Sequence, residues 1–147
     1  MQAKVPDWEL IRDRARVIPD VAFQFVREGL AFTVRHAHGP DPDQDPEGPG
    51  RHVTGQQLSL GLCDLARQRY GLLAPTVLAH WGIRRTRDFG LIVYALIDRG
   101  ELRCNDDDRL EDFDDVCDFA EVFSPESVLG LKPGPRPALR NRSSRPA

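Results

Sequence analysis

Trp81-Gly82-Ile83-Arg84-Arg85-Thr86-Arg87-Asp88-Phe89-Gly90 is the stretch on which the reading of this chain turns. It sits inside a run from His52 to Gly100 that reads as three capped helices in quick succession. Thr54-Gly55-Gln56-Gln57 fits a capping box, in which the threonine hydroxyl accepts from the Gln57 amide while the glutamine side chain reaches back. Leu58, Leu62, Leu65, Ala66 and Tyr70 follow at helical spacing, and Gly71 is the expected stop. Pro75 opens a short helix carrying Val77, Leu78 and Trp81, closed by Gly82. Thr86 is expected to cap a third, striped with Phe89, Ile92, Val93, Leu96 and Ile97, with Gly100 past its end. A turn of about five residues between the last two makes a helix-turn-helix-like corner.

Working outward, Asp7 is the expected N-cap of a short amphipathic helix in which Trp8, Ile11 and Ala15 share a face. Pro19 suits the first turn of the next helix, and Asp20 favours its positive end. That helix carries Ala22, Phe23, Val26, Leu30 and Val34 on one face and Phe25, Gly29 and Phe32 on another. Apolar residues on two faces predict burial on two sides, so this is the expected central helix of the core. Gly29 within it predicts close packing, since glycine there costs about 1 kcal/mol against alanine.

Downstream, Glu101-Leu102-Arg103-Cys104 reads as a short strand and Asn105-Asp106-Asp107-Asp108 as a turn. Phe113, Val116, Cys117, Ala120 and Phe123 then fall at helical spacing in an acidic background, predicting a last amphipathic segment. Residues 39–50, rich in proline, glycine and acid, read as a flexible internal loop of the domain, and residues 132–147 as a disordered basic tail. The expected domain spans residues 7–131. Its class is mainly α, a compact helical domain with room for one short β-hairpin from Glu101 in winged-helix-like order.

Together, three groups of residues resemble a bacterial family of small proteins of unknown function. They are His52-Val53-Thr54-Gly55-Gln56-Gln57-Leu58 with Val77-Leu78 and Trp81-Gly82-Ile83; Thr86-Arg87-Asp88-Phe89-Gly90 with Ile92-Val93; and Glu111-Asp112-Phe113 with Asp118-Phe119. Ala22-Phe23, Phe25-Val26, Leu30 and Thr33 fit the family's N-terminal half. The resemblance covers about residues 8–123. Val17-Ile18 departs from the arginine-tyrosine pair expected ahead of the first long helix. What the resemblance implies is a domain limit and no particular chemistry.

Charge narrows the function classes. The net charge of −3 conceals an asymmetry, because five basic residues and no acid lie from Lys132 onward. Residues 1–131 carry 15 basic and 23 acidic groups. Such a body repels nucleic acid unless it carries a local basic patch, since affinity comes mainly from neutralised phosphates. Arg84, Arg85 and Arg87 at the corner are the candidate patch. With Phe89, Ile92, Val93 and Leu96 set inward at 100° per residue, Arg87, Leu91, Tyr94 and Asp98 face outward, an unsuitable base-reading set. Nine acids between Asp106 and Glu121, against Arg109 alone, oppose DNA further. Arg84, Arg85, Arg87, Leu91 and Tyr94 therefore form the candidate interaction patch, with a protein as the expected partner. Winged-helix-like nucleic-acid binding is the alternative. The other reading of Leu91 and Tyr94 is burial beneath the first helices or the acidic segment.

Catalytic and metal chemistry find little support. Cys63, Cys104 and Cys117 are odd in number with no Cys-x-x-Cys pair, and they read as packed free thiols of a reducing compartment. His36 and His38 lie two apart, His52 and His80 stand alone, and no His-x-x-x-His occurs. Neither a nucleophile with its base nor a glycine-rich phosphate loop is visible. We expect no catalytic residues, no metal and no cofactor. No apolar run approaches the roughly 18 to 20 residues that span a bilayer, and the N-terminus lacks a signal-peptide core. A cytoplasmic location without membrane contact is expected.

Overall fold

The computed structural model describes residues 6–38, 52–103 and 107–130, and these are mainly helical with no strand among them. The expected 39–50 loop and 132–147 tail lie outside the described residues. The helices are α1 (Trp8–Ala15), α2 (Asp20–His38), α3 (Gly55–Tyr70), α4 (Ala74–His80), α5 (Thr86–Asp98), α6 (Phe119–Val122) and α7 (Pro125–Leu129). Single 3-10 turns occupy Gly71–Leu73 and Leu110–Phe113.

Local sequence accounts for most of the boundaries. Asp7 caps α1 by accepting from the Leu10 amide at 3.1 Å,. The Thr54–Gln57 capping box closes in both directions, at 3.0 Å and 2.8 Å,. Gly71, Gly82 and Gly100, the three expected stops, all have positive φ, a region open to glycine at no steric cost.

The core lies between α2, α3 and α5, with α1 and the Leu110–Phe113 turn laid on α5. The most enclosed helix is α5, not α2 as the pattern suggested. Every residue from Asp88 to Leu96 is buried, because α1, α2, α3 and the 110–113 turn together surround it. In α2 the Ala22, Phe23, Phe25, Val26 and Val34 side chains are buried, while Val21 and Gln24 face outward. Gly29 does pack closely: a β-carbon there would collide with the Leu62 side chain of α3. Arg27–Glu101 at 2.6 Å and Arg69–Glu28 at 2.7 Å tie the outer surface of α2 to its neighbours. Arg99 stacks over the Phe23 ring at 4.2 Å,.

The chain after α5 departs from expectation. Glu101–Arg103 is a bend rather than the start of a hairpin, and no strand follows among the described residues. The winged-helix element is therefore not formed by the described residues. The expected amphipathic helix through Phe113 and Phe123 is also broken. Asp115 takes a positive φ of 46°. The Phe113 carbonyl and the Val116 amide, which a continuous helix would use internally, both bind the Thr86 hydroxyl. Aspartate is a poor interior helix former, so this run yields readily to tertiary bonds.

What holds that segment is a ring between two glycines. A β-carbon at Gly55 would lie 2.9 Å from Phe113 Cε1, and one at Gly90 only 2.8 Å from Phe113 Cγ and Cδ1. The Phe113 ring thus wedges between the first turn of α3 and the second turn of α5, where only glycine leaves room. Gly90→Ala is expected to cost about 1–3 kcal/mol through overpacking, read as an earlier denaturant midpoint. An unchanged midpoint would show that the ring is free to shift. Ser59 offers the opposite test, because its hydroxyl is wholly buried without a hydrogen-bond partner. Ser59→Ala should raise stability by roughly 1 kcal/mol in the same measurement.

Candidate interaction surface

The corner between α4 and α5 is built from backbone amides and one carboxylate. Trp81 ends α4, and the Ile83 amide returns to the Leu78 carbonyl at 2.8 Å. Ile83 is fully buried, so the bend is anchored from within. Arg85 is the extended residue ahead of α5. Asp88, one turn inside, accepts through Oδ2 from the Arg84 amide at 2.8 Å and the Arg85 amide at 3.2 Å. An acid here also complements the helix dipole.

Thr86, the expected cap, does a different job. With the leading amides bound by Asp88, its side chain is free to turn inward, where it is fully buried. Its hydroxyl donates to the Phe113 carbonyl at 2.7 Å and accepts from the Val116 amide at 3.1 Å. One hydroxyl therefore joins α5 to the acidic segment.

The five residues of the sequence-derived patch separate on folding. Arg84 and Arg85 are exposed, and neither guanidinium has an ion-pair partner among the described residues. Arg87 is half-buried and bonded to Asp114 at 2.6 Å. Leu91 and Tyr94 are only 5% and 3% exposed, so they are not part of an open patch. The cause is α1, which lies along α5 and sets the Trp8 ring 6.1 Å from the Tyr94 ring. Two arginines of α1 follow the same seam. Arg12 forms a two-pronged bond with Asp98 at 2.7 Å and 3.0 Å. Arg14 lies 3.6 Å from Asp88 Oδ1. Of the predicted outward face of α5, nothing apolar remains uncovered. The acidic segment also folds back, as Asp114 demonstrates by neutralising Arg87.

Other sequence-derived candidates stay apart. His36 Nδ1 lies 2.8 Å from the Phe32 carbonyl, and His52 Nε2 lies 3.1 Å from Asp108. His80 is exposed at the end of α4. No group of three or more His, Cys, Asp or Glu side chains suited to a metal ion occurs among the described residues. A surface hollow of about 190 Å³ lies beside the start of α1, lined by Asp7, Ile11, Arg87, Asp108, Arg109 and Glu111, among others. Small-molecule sites usually begin near 300 Å³ and are mostly apolar. No helix among the described residues is long and apolar enough to cross a membrane. Sequence reasoning missed the approach of Cys63 to Cys117, whose sulfurs are 3.5 Å apart. Fifty-four residues separate them, and no local spacing signals such a meeting.

Compared with models of protein families, with curated proteins and with solved structures, the chain finds no match.

The α1–α5 seam has a pH signature. Hydrogen bonding from Arg12 holds the Asp98 carboxyl below its usual range,. A carboxyl whose pKa is lowered by folding adds stability above its unfolded pKa, and that stability is lost as pH falls through the folded value. Asp98→Asn should therefore lower Tm at neutral pH by about 1–2 °C, the scale of an exposed ion pair. The difference from the wild type should close below the carboxylate range. A difference that persists in strong acid would mean that the ion pair is not its source.

Proposed function

We propose that this chain is a non-catalytic interaction module that docks another macromolecule through its Arg84–Arg85 corner, and that the partner is a protein presenting an acidic segment. The observation that carries this reading is a contrast between neighbouring arginines. Arg14 and Arg87 are matched by Asp88 and Asp114, whereas Arg84 and Arg85 are exposed without ion-pair partners among the described residues. Two successive exposed arginines on a backbone held by Asp88 offer several guanidinium donors, suited to carboxylates,. The fixed bend limits the ordering cost of binding.

The remainder of the surface supports a protein partner over nucleic acid. Leu91 and Tyr94 are withdrawn, and the segment beside the corner carries Glu111, Asp112, Asp114, Asp115 and Asp118. Those charges repel an extended phosphate backbone along the whole segment, and repel a short acidic peptide only where it runs past the corner. The small, mixed-charge hollow near Arg87 favours a surface contact over a small-molecule site. The motifs resembling the small bacterial family also fit a scaffolding role. Gly55, Gly90 and Phe113 are used in packing, and Thr54, Thr86 and Asp88 in backbone bonds.

The test is an anisotropy titration of a labelled Glu- and Asp-rich peptide and of labelled duplex DNA, at low and physiological salt. The acidic peptide should bind the full chain, more weakly as salt rises. The Arg84→Ala/Arg85→Ala double variant should lose about tenfold in affinity, near two exposed ion pairs. Peptide binding that survives the double variant, or that disappears on removing residues 132–147, would remove the corner as the docking site. Duplex binding abolished by Arg85→Ala would favour the nucleic-acid alternative instead.

A further inference from the structure

We infer that Cys63 and Cys117 are a covalent modification site, a thiol pair that a hydroperoxide closes to an intramolecular disulfide. Their sulfurs lie 3.5 Å apart. A disulfide bond is about 2.05 Å long, so the sulfurs need approach by only about 1.5 Å. The two residues differ in how they can move. Cys63 is buried in the rigid middle of α3, while Cys117 is half-buried in the irregular stretch between the Leu110–Phe113 turn and α6. No helical ladder holds the Cys117 backbone, so that side can supply the motion. Its partial exposure also gives a small oxidant access.

The electrostatics assign the order of events. A hydrogen bond from the Cys63 thiol lowers the pKa of Cys117. Cys117 and burial together raise that of Cys63. Cys117 is therefore the thiolate that attacks first. With hydrogen peroxide as the oxidant, its sulfur takes one oxygen, the O–O bond breaks, and the leaving oxygen departs as water after proton transfer, which leaves a sulfenic acid. The Cys63 sulfur then attacks that sulfur. The S–S bond forms, the S–O bond breaks, and the departing hydroxide takes up the Cys63 proton as a second water. Two thiols and hydrogen peroxide give one disulfide and two waters.

Closure would fasten the cover on α5. Val116, next to Cys117, gives its amide to the Thr86 hydroxyl, and Asp114 pairs with Arg87. A bond to α3 would hold that segment over the first turn of α5 and keep Arg87 neutralised. Thiol chemistry would thus govern how firmly the flank of the arginine corner is held.

The full chain, reduced and then treated with hydrogen peroxide, provides the test. Alkylation under denaturing conditions should find two thiols lost and the third, at Cys104, still free. Peptide mapping should recover a Cys63–Cys117 crosslink. The oxidised protein should melt roughly 5–10 °C higher, as expected for a bond closing a loop of this length, and dithiothreitol should reverse the shift. Amides near Val116 should exchange more slowly with solvent. Cys104→Ser should preserve every one of these changes, and Cys117→Ser should abolish them. A crosslink through Cys104, a disulfide between chains, or sulfinic acid at Cys117 with Cys63 still free would each overturn the inference.

Discussion

The Phe113 ring between Gly55 and Gly90 is the contact on which the rest of the structure depends. Two helices separated by a long stretch of chain begin at the same place, and each leaves out a side chain where the ring enters. Because the ring touches the first turn of α3 and the second turn of α5, it sets the distance between the two helices there. It also brings the acidic segment within reach of the Thr86 hydroxyl, whose two bonds satisfy a carbonyl and an amide that would otherwise be stranded,. Packing and polar satisfaction therefore reinforce each other at one point. A helical domain with no strand among its described residues still gains a closed end in this way.

Enclosure of α5 follows from the same arrangement. With the 110–113 turn on one side, α2 and α3 on another and α1 on a third, every helix face from Asp88 to Leu96 is covered. The helix cannot offer a recognition face in the manner of a helix-turn-helix reader, because Leu91 and Tyr94 are already part of the core. What α5 offers is its entrance. There Asp88 binds the backbone of Arg84 and Arg85 and leaves both guanidiniums outside. The interaction reading thus rests on a short, rigid turn and not on an exposed stripe.

The acidic segment serves two physical purposes. Asp114 removes the charge of Arg87, and Cys117 approaches Cys63, so the same few residues both trim the positive patch and attach to α3. Its backbone is irregular around Asp115, where the Phe113 carbonyl and the Val116 amide bond to α5 instead of along the segment. Around Cys117 the segment lacks a helical ladder, which is why a covalent bond there would have a large effect,.

The amino-acid sequence by itself determined the starts of α1 and α3 and the ends of α3, α4 and α5. Asp7, Thr54 with Gln57, Gly71, Gly82 and Gly100 act on amides and carbonyls within a few residues, and that chemistry is complete before any tertiary contact forms. Apolar spacing likewise identified the inner faces of α1, α3 and α5, and close approach at Gly29 was legible from a glycine within a packed helix. Only the tertiary structure decided how many faces of α5 are covered, since helical periodicity marks the apolar side without counting the neighbours available. Leu91 and Tyr94 changed from candidate contacts to core for that reason. Thr86, a convincing cap by sequence, was displaced by Asp88 and took partners 27 and 30 residues away. Phe113, Val116 and Cys117 followed long-range contacts in place of their own helical pattern, with Asp115 at a positive φ between them, because aspartate gives a helix too little intrinsic stability to resist them,. Arg84 and Arg85 were legible as a basic corner from the start, but their lack of ion-pair partners among the described residues depended on where Asp88 and Asp114 were placed in three dimensions.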